Sequence, residues 1–314
     1  MGRRAVRRVL RRLEPTDDLD VLLAGTPSWP GAERVALIFA AAKGTPSIQL
    51  VAVERGGLVG YAHCLTTPIA ESRRAAGHVW VDPVARGRGI GTALWKQVLE
   101  VAELAELGGV RVAVDMADPR SLAVAMHRGL VPGPVRRESV LELSTLPNAL
   151  VEAAVARATA AEVRLVAFTG SDARAWRDLY ESFVPLHDAT PDAAGGREPP
   201  PLSSLRHGYS SPWQILLACR NDAMLGMTLV FARPDMVSRV VTFFTGVVAS
   251  ERGQGIATAL KAEHARRLAA AGWHELTTWN MEANRAILAA NAKLGFVPLT
   301  RMQAFTYDFQ TSLS

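Results

Sequence analysis

A segment of 47 residues, 86–132, occurs twice in this 314-residue chain with unchanged spacing. Arg86 recurs as Arg252 and Gly129 as Gly295, and both pairs differ by 166 (252 − 86 and 295 − 129). A constant offset means that no insertion or deletion separates the copies in this segment. We therefore interpret the chain as a tandem duplication of one fold. Its length agrees with two domains, since one domain has about 150 residues.

The repeat divides the chain into residues 1–146, a linker at 147–161 and residues 162–314. Each half has short apolar segments typical of strands and segments with apolar residues three and four apart, typical of helices. These patterns predict an α/β (α+β) fold in each half. Helices are expected at Thr92–Leu107 and Thr258–Ala271, and further ones at Asp172–Phe183 and Glu282–Leu294. The strands important below are expected at His78–Val81, Ser139–Leu143, Val240–Val248 and Ala304–Phe309.

Composition excludes several protein classes. Hydrophobic residues make up 49% of the chain, too many for a disordered protein. Two cysteines far apart in sequence do not make a disulfide scaffold, so a reducing, cytoplasmic location is expected. No segment has the ~18 uncharged apolar residues of a membrane span. We therefore expect a soluble protein that does not bind membranes.

The net charge of +5 comes from the N-terminal end. Six arginines lie within the first twelve residues, and the two halves are otherwise near neutral. A solvated edge strand is the favoured interpretation of this arginine arm, and an RNA-contacting tail is the weaker alternative. Binding of nucleic acid is not expected from the rest of the chain.

A glycine-rich turn stands between a predicted strand and a predicted helix in both copies. It reads Arg-Gly-Arg-Gly-Ile-Gly-Thr-Ala at 86–93 and Arg-Gly-Gln-Gly-Ile-Ala-Thr-Ala at 252–259. Backbone N–H groups at the N-terminus of a helix have no partner within the helix, and glycines let an anion come close to them. A diphosphate suits such a turn. The sixth positions, Thr92 and Thr258, fit neither the nucleotide-triphosphate loop nor the dinucleotide fingerprint.

The pattern [Q/R]-x-x-G-x-[G/A] in both turns resembles the acyl-CoA pyrophosphate loop of the Gcn5-related N-acetyltransferase (GNAT) superfamily. The resemblance covers nearly the whole chain as two copies. It implies two tandem GNAT-type domains, each a mixed, mostly antiparallel sheet flanked by helices, with acetyl-CoA as co-substrate. It assigns cofactor binding to Val81, Arg86, Gly87, Arg88, Gly89, Ile90, Gly91 and Thr92 in the first copy, and to Val247, Val248, Arg252, Gly253, Gln254, Gly255, Ile256, Ala257 and Thr258 in the second.

Three asparagines distinguish the second copy. Asn280, Asn284 and Asn291 are spaced 4 and 7 apart, so on one helix they would fall near one face. Asn284 is assigned to cofactor binding, and Asn280 and Asn291 are the candidate catalytic residues; helix capping by Asn280 or Asn284 is the alternative. The first copy has Val114, Asp118 and Ala125 at these positions, which favours the second half as the catalytic one.

The superfamily resemblance implies direct attack of an amine on the acetyl thioester in a ternary complex. Many relatives use a tyrosine four residues before a Gly-Phe pair as the acid, and that position holds Ala125 in one copy and Asn291 in the other. The acid must then be water or another residue. The base is left open among five candidates: Asp222, Glu282, Tyr307, His63 and His78.

The leading interpretation is an N-acetyltransferase acting on a primary amine of a small molecule or peptide, as a monomer or homodimer. A non-catalytic or regulatory acyl-CoA-binding protein is the alternative, favoured by the missing tyrosine. The seven histidines show no metal-binding spacing, so no metal is expected. The segment Leu186–Arg206, which contains many Pro, Gly and Ser residues, is expected to form a lid or selectivity loop on the acceptor side.

Overall fold

A computed structural model of the chain describes residues 8–14, 17, 47–69, 73–190, 199–209, 211–232 and 238–309. Their strands and helices follow in chain order: β1 Arg8–Arg12, β2 Ser47–Glu54, β3 Gly57–Ile69, β4 Arg74–Val81, α1 Ile90–Leu104, β5 Gly109–Asp115, α2 Pro119–His127, β6 Val131–Glu142, α3 Asn148–Ala160, β7 Arg164–Ala167, α4 Ala173–Asp188, α5 Leu202–Gly208, β8 Ile215–Arg220, β9 Ala223–Ala232, β10 Arg239–Val247, α6 Ile256–Ala270, β11 Glu275–Met281, α7 Arg285–Lys293 and β12 Val297–Asp308.

The chain folds into two compact units, one of residues 1–133 and 303–314 and one of residues 134–302. In the first, β1, β2, β3, β4, β5 and the end of β12 follow one another across the sheet. In the second the order is β6, β11, β10, β9, β8 and β7. β4 pairs with β5 and β10 with β11 in parallel, whereas β1–β2, β2–β3, β3–β4, β6–β11, β7–β8, β8–β9 and β9–β10 are antiparallel pairs. The α/β fold with mixed, mostly antiparallel sheets is thus confirmed.

The compact units differ from the predicted domains, 1–146 and 162–314, by two exchanged segments. Residues 134–142 of β6 belong to the unit built mainly from the second copy, and residues 303–308 of β12 belong to the first unit. Gly109 shows how closely β12 approaches in the first unit, since a Cβ there would lie 2.1 Å from the carbonyl oxygen of Tyr307. Glycine is therefore required at this point of β5.

β6 and β12 both begin well before the strands predicted at Ser139–Leu143 and Ala304–Phe309. Pro132, Pro134 and Pro298 lie in their first halves, where residues are largely exposed. Proline argues against a strand in sequence because it cannot donate to the ladder. The prediction was therefore too short at both N-terminal ends.

The predicted linker 147–161 forms helix α3 and packs into the second unit. Val151 and Ala158 are buried, and Val151 joins a core with α6 residues Ala262 and Ala265. The helix thus contributes to the hydrophobic core of its unit. On the first unit, the arginine arm is described from Arg8 onward and forms edge strand β1 against β2, as the favoured interpretation expected.

Within the described residues no helix is long and apolar enough to cross a membrane.

Candidate functional site

Both glycine-rich turns adopt the same backbone conformation. Gly87 and Gly253 have φ values of 79° and 80°, and Gly89 and Gly255 have φ values of 79° and 86°. These φ values lie in the left-handed region, which residues with a Cβ rarely adopt. Gly89 and Gly255 are the N-cap residues of α1 and α6 and provide no capping side chain. The first N–H groups of both helices therefore point to the open turn.

An arginine closes each turn at its first position. The Nε atom of Arg86 donates to the carbonyl of Val81 at 3.0 Å, and that of Arg252 donates to the carbonyl of Val247 at 3.1 Å. The two arginines thus tie the turn to the end of the strand before it. The N–H of Val248, assigned to cofactor binding, donates instead to the carbonyl of Leu225 at 2.8 Å.

The turns fit a phosphate group in shape and charge. A Cβ built on Gly87, Gly89 or Gly253 meets no atom within 4 Å, so the space over the turn is open. At Gly255 a Cβ would lie 3.4 Å from Cδ of Arg157, which places this α3 side chain beside the second turn. At the first turn, Arg128 donates to Oγ1 of Thr92 at 3.0 Å. Each turn therefore has one further arginine that could contact a diphosphate.

Each turn lies at the end of a strand that separates from its parallel neighbour. β4 pairs with β5 only over Arg74–Ala76, and β10 pairs with β11 only over Arg239–Thr242, although both pairs of strands continue. The separation leaves a wedge between the strands, which we call the first notch (β4 and β5) and the second notch (β10 and β11). A notch next to a phosphate-binding turn can hold an extended ligand.

The two strands that lead into the turns differ in one respect: β10 has a bulge in its pairing with β9, whereas β4 has none against β3 next to the first turn. The pairing of β10 with β9 shifts between Thr242 and Phe244, so Phe243 is one extra residue. β4 pairs with β3 without a shift from Ala76 to Val81. The offset between the copies shows the same insertion. The first paired residues of β4 and β10, Arg74 and Arg239, differ by 165 in residue number, whereas their partners in β5 and β11, Gly109 and Glu275, differ by 166. Bulges redirect backbone groups and often lie beside active sites.

The three asparagines of the second notch lie on a strand, at a helix N-cap and within that helix. Asn280 is in β11, Asn284 is the N-cap of α7, and only Asn291 lies within that helix. The prediction that they share one helix face is therefore wrong, because β11 continues to Met281 and α7 begins at Arg285. Capping by Asn284 is confirmed, since its Oδ1 accepts from the N–H of Ile287 at 3.3 Å.

Asn280 and Asn291 nevertheless come together. Nδ2 of the buried Asn291 donates to Oδ1 of Asn280 at 2.8 Å, and Thr278 donates to the same oxygen at 3.3 Å. The two candidate catalytic residues thus form one hydrogen-bonded group at the second notch. Asn291 holds Asn280 in a fixed orientation beside the cavity described next.

A cavity of about 40 Å³ occupies the second notch. Its lining includes Thr242 and Thr278, the last paired residues of β10 and β11, and Asn280 and Asn284. His187 of α4 and Lys261 of α6 also line it.

These two side chains reach the cavity from opposite faces of the sheet. Along β9, Met227 and Leu229 pack with the α4 core, whereas Val230, the next residue, packs with a core that contains α6 residues. Successive side chains of a strand point to opposite faces. The cavity therefore passes between the strands, with a histidine on one side and a lysine on the other.

The first notch has different residues at the corresponding positions. With the offset of 166, Lys261 corresponds to Trp95, Asn280 to Val114 and Asn291 to Ala125. Trp95 is buried in the core of its unit and contacts the edge of the Tyr307 ring at 6.0 Å between centroids. Asp118 replaces Asn284 and caps α2. The first notch thus has the turn without the polar cluster.

Of the base candidates named from sequence, none lines the cavity of the second notch. Tyr307 lies in the first unit through the exchange of β12. Asp222 is exposed in the β8–β9 turn. Hydrogen bonds from Arg301 and Arg137 lower the pKa of Glu282, which makes it a weak base.

The remaining base candidates, His63 and His78, stack on each other in the first unit with ring centroids 5.6 Å apart. Burial lowers the pKa of His78 well below its usual value. A histidine that sequence reasoning missed, His187, lines the cavity of the second notch instead. The signal in the sequence is the Leu-His-Asp segment at 186–188. It follows a helix that was predicted to end at Phe183.

The segment expected to form a lid is only partly a loop. α4 continues to Asp188 and α5 occupies Leu202–Gly208, so both ends of the predicted loop Leu186–Arg206 are helical. Residues 191–198 lie outside the described part of the chain. A lid function stays a prediction.

Residues 17–130 match the family model described as Acetyltransferase (GNAT) family. This match covers the first copy, including its glycine-rich turn. A search of curated proteins found no match.

Solved structures match both copies together. A GCN5-related N-acetyltransferase from Sphaerobacter thermophilus has a TM-score of 0.77 and 18% identity, covering 96% of this chain and 95% of that one. A tandem GNAT protein from the clavulanic acid biosynthesis pathway has a TM-score of 0.72 and 20% identity, covering 98% of this chain and 100% of that one. The first copy matches the GNAT family, and both copies together have the fold of tandem GNAT structures. The resemblance recognised in the two turns is confirmed.

A third structure has a similar fold within a longer protein. It is described as a GCN5-related glucosamine N-acetyltransferase region of a fungal multi-domain GH3 β-N-acetylglucosaminidase, with a TM-score of 0.73 and 15% identity. The match covers 97% of this chain and 38% of that one. At these identities the likeness describes the fold, and the chemistry must be argued from the notches.

Proposed function

We propose that this GNAT protein is an acetyl-CoA-dependent N-acetyltransferase that acetylates a primary amine of a small molecule or peptide by direct attack. We further propose that its second notch is the catalytic one. The observation that carries the proposal is the combination, in one unit, of a phosphate-binding turn, a bulged strand and a polar cavity passing between the strands.

The turn after β10 would hold the diphosphate of the co-substrate. The unpartnered N–H groups at the start of α6 and the Arg157 side chain favour an anion there. Arg252, Gly253, Gln254, Gly255, Ile256, Ala257 and Thr258 form this turn and the first residues of α6. Arg252 would act by fixing the turn through Val247.

The notch would hold the pantetheine arm and the thioester. β10 continues to Val247 beyond its last pairing with β11, so backbone groups on that edge can bind a ligand. A backbone N–H near Val247 would stabilise the oxyanion that forms on the thioester carbonyl. Asn280, oriented by Asn291, and Asn284 can donate to or accept from the amides of the arm.

His187 would serve as the base for the attacking amine. Its side chain is only 3% exposed, lines the cavity and lies 3.3 Å from the carboxylate of Asp188. A histidine whose ring is oriented by a carboxylate is a common general base. The amine would approach from the α4 side, where the described ends of the predicted selectivity segment also pack, with Leu186 and Leu205 in one core.

The first notch would bind acyl-CoA without catalysing transfer. It has the same turn, assigned to Arg86, Gly87, Arg88, Gly89, Ile90, Gly91 and Thr92 after Val81, but not the bulge or the polar cluster. Arg88 is tied to Glu54 at 2.6 Å, which leaves the backbone N–H groups as the main phosphate contacts.

We expect the protein to act in the cytoplasm as a monomer or homodimer. Cys64 and Cys219 are both free thiols, which suits a reducing compartment.

Release of CoA from acetyl-CoA, measured with a panel of primary amines, tests the proposal. Acetylated product that depends on His187 and on the second turn is the expected result. Acetyl-CoA binding without transfer to any amine would favour the alternative, a non-catalytic or regulatory acyl-CoA-binding protein. Failure to bind acetyl-CoA would contradict both.

A further inference from the structure

Lys261 places an ammonium group inside the second notch. The residue is 2% exposed, and its Nζ donates no hydrogen bond to any of the described residues. Nζ lies 5.1 Å from the centre of the Phe296 ring, and the side chain lines the cavity with Thr278 and Asn280. A buried cation with only a cation–π contact is costly to the fold.

The fold does not need a lysine at this position. The same place on α1 of the first unit holds Trp95, which fills the core with apolar surface. The second unit therefore keeps an unpaired amine where its own repeat shows that an apolar side chain packs well. A cost of this kind is typical of a functional site.

The proposed reaction also needs a proton donor that the family's usual position does not provide. Asn291 stands where many relatives have a tyrosine, and its amide is bound to Asn280. An amide cannot donate a proton to a leaving group at neutral pH. The leaving thiolate of CoA would form in the notch, which Lys261 reaches from the α6 face.

We propose that Lys261 is the general acid of the second notch, an inference that rests on the proposed function. As the amine nitrogen bonds to the thioester carbon, the C–S bond breaks and its electron pair stays on sulfur. Lys261 gives a proton from Nζ to this sulfur and becomes neutral. His187 takes the proton released by the acylated amine, and exchange with water restores both side chains to their starting states.

The groups around Lys261 allow this role. Burial lowers the pKa of Lys261 to about 7, so both protonation states are accessible near neutral pH. His264 on the same helix has its pKa lowered to about 4 by burial and is neutral. Glu263 is bound to Arg266 and Arg267, and His187 faces the cavity beside Asp188. The lining residues of β10, β11 and α7 are uncharged.

Binding of CoA and of desulfo-CoA, which lacks the sulfur, tests the proposal without an acceptor amine. Both are titrated by calorimetry into the full chain carrying Gly89→Glu, so that the second notch is measured alone. With Lys261 present, the second notch should bind CoA about 10- to 100-fold more tightly than desulfo-CoA, because the ammonium stabilises the thiolate. Lys261→Met should remove this preference and leave desulfo-CoA binding unchanged.

Lys293→Met is the matched control, since Lys293 is exposed on α7 and its loss changes the net charge equally. It should keep the preference. With an accepted amine, kcat of the wild-type chain should fall as pH rises above about 7, because Lys261 loses its proton. The variant Lys261→Met should have a much lower kcat that no longer falls over this pH range.

A CoA preference that survives in Lys261→Met would overturn the assignment and leave the proposed function intact. Acetyl-Lys261 found by mass spectrometry after incubation with acetyl-CoA would make the lysine a nucleophile, which would overturn both the assignment and the direct attack by the amine. If neither ligand binds the wild-type chain, the proposed function itself fails.

Discussion

The two notches share a turn and differ in what stands behind it. Both have an arginine that fixes the turn, two glycines with positive φ and a helix without a capping side chain. In the first notch Trp95, Val114 and Ala125 provide apolar contacts, and β4 has no register shift against β3 from Ala76 to Val81. In the second, Lys261, Asn280 and Asn291 replace them beside a bulge.

Under the proposed function, this difference assigns cofactor binding and catalysis to separate parts of the fold. The turn would bind through backbone groups, so few side chains matter and both copies keep it. Chemistry needs side chains that meet in the cavity, and these differ at every corresponding position. A duplicated domain can therefore lose catalysis while it keeps the ability to bind the co-substrate.

Removing the proposed base should have the largest effect on the second notch. We expect His187→Ala to lower kcat by about 10²- to 10⁴-fold, the usual contribution of a general base. Initial rates with saturating acetyl-CoA would measure it. His274→Ala, at an exposed histidine of the same unit, is the control and should retain activity. Equal losses in both variants would show that His187 is not the base.

Removing the buried lysine should stabilise the fold. The pKa of Lys261 is about 7, below the 10.5 of an exposed lysine, so between these values the unfolded chain binds more protons. Wild-type stability should therefore rise with pH over this range. Lys261→Met should be more stable by a few kcal/mol at pH 6, and the gain should shrink toward pH 10. Denaturant unfolding at both pH values measures it, and a pH-independent gain would contradict the assignment.

Asn291→Ala should produce a smaller loss. It removes the 2.8 Å hydrogen bond that orients Asn280, which is worth roughly 1 kcal/mol or about fivefold in kcat/KM. Ala125→Ser in the first notch is a comparable polar change and should leave kcat/KM as it is. An unchanged rate in Asn291→Ala, with an unchanged melting temperature, would remove the asparagine pair from the site.

The smallest effect should come from the arginine beside the second turn. Arg157→Ala should raise KM for acetyl-CoA about two- to fivefold, since Arg157 is exposed and its charge is screened. Arg174→Ala, another exposed arginine of this unit, is the control. A lower KM in Arg157→Ala would mean that the side chain covers the turn instead of contacting phosphate.

The sequence could predict what depends on local pattern. The two turns, their helices and the α/β character follow from glycine positions, apolar spacing and the constant offset, and the structure confirms them. The bulge was not accessible from the sequence alone, although the offset between the copies falls to 165 before the turn. It could be found only once the strands had been aligned by their pairing.

Other features depend on contacts between distant residues. The exchange of β12 brings Tyr307 to Gly109, and nothing near either residue in sequence indicates this. The end of α4 was missed because Pro185 argues for a helix end, yet the helix continues through it to Asp188. His187 and Lys261 therefore looked like ordinary polar residues of two helices until folding placed them at one cavity.

The central claim is that the second notch transfers the acetyl group and the first only binds. Turnover of acetyl-CoA with an accepted amine, compared between Gly89→Glu and Gly255→Glu, tests it most directly. A glutamate in either turn places a carboxylate and a Cβ where the diphosphate would lie. We predict that Gly255→Glu abolishes turnover while Gly89→Glu retains it. Loss of turnover only in Gly89→Glu would reverse the assignment of the two notches.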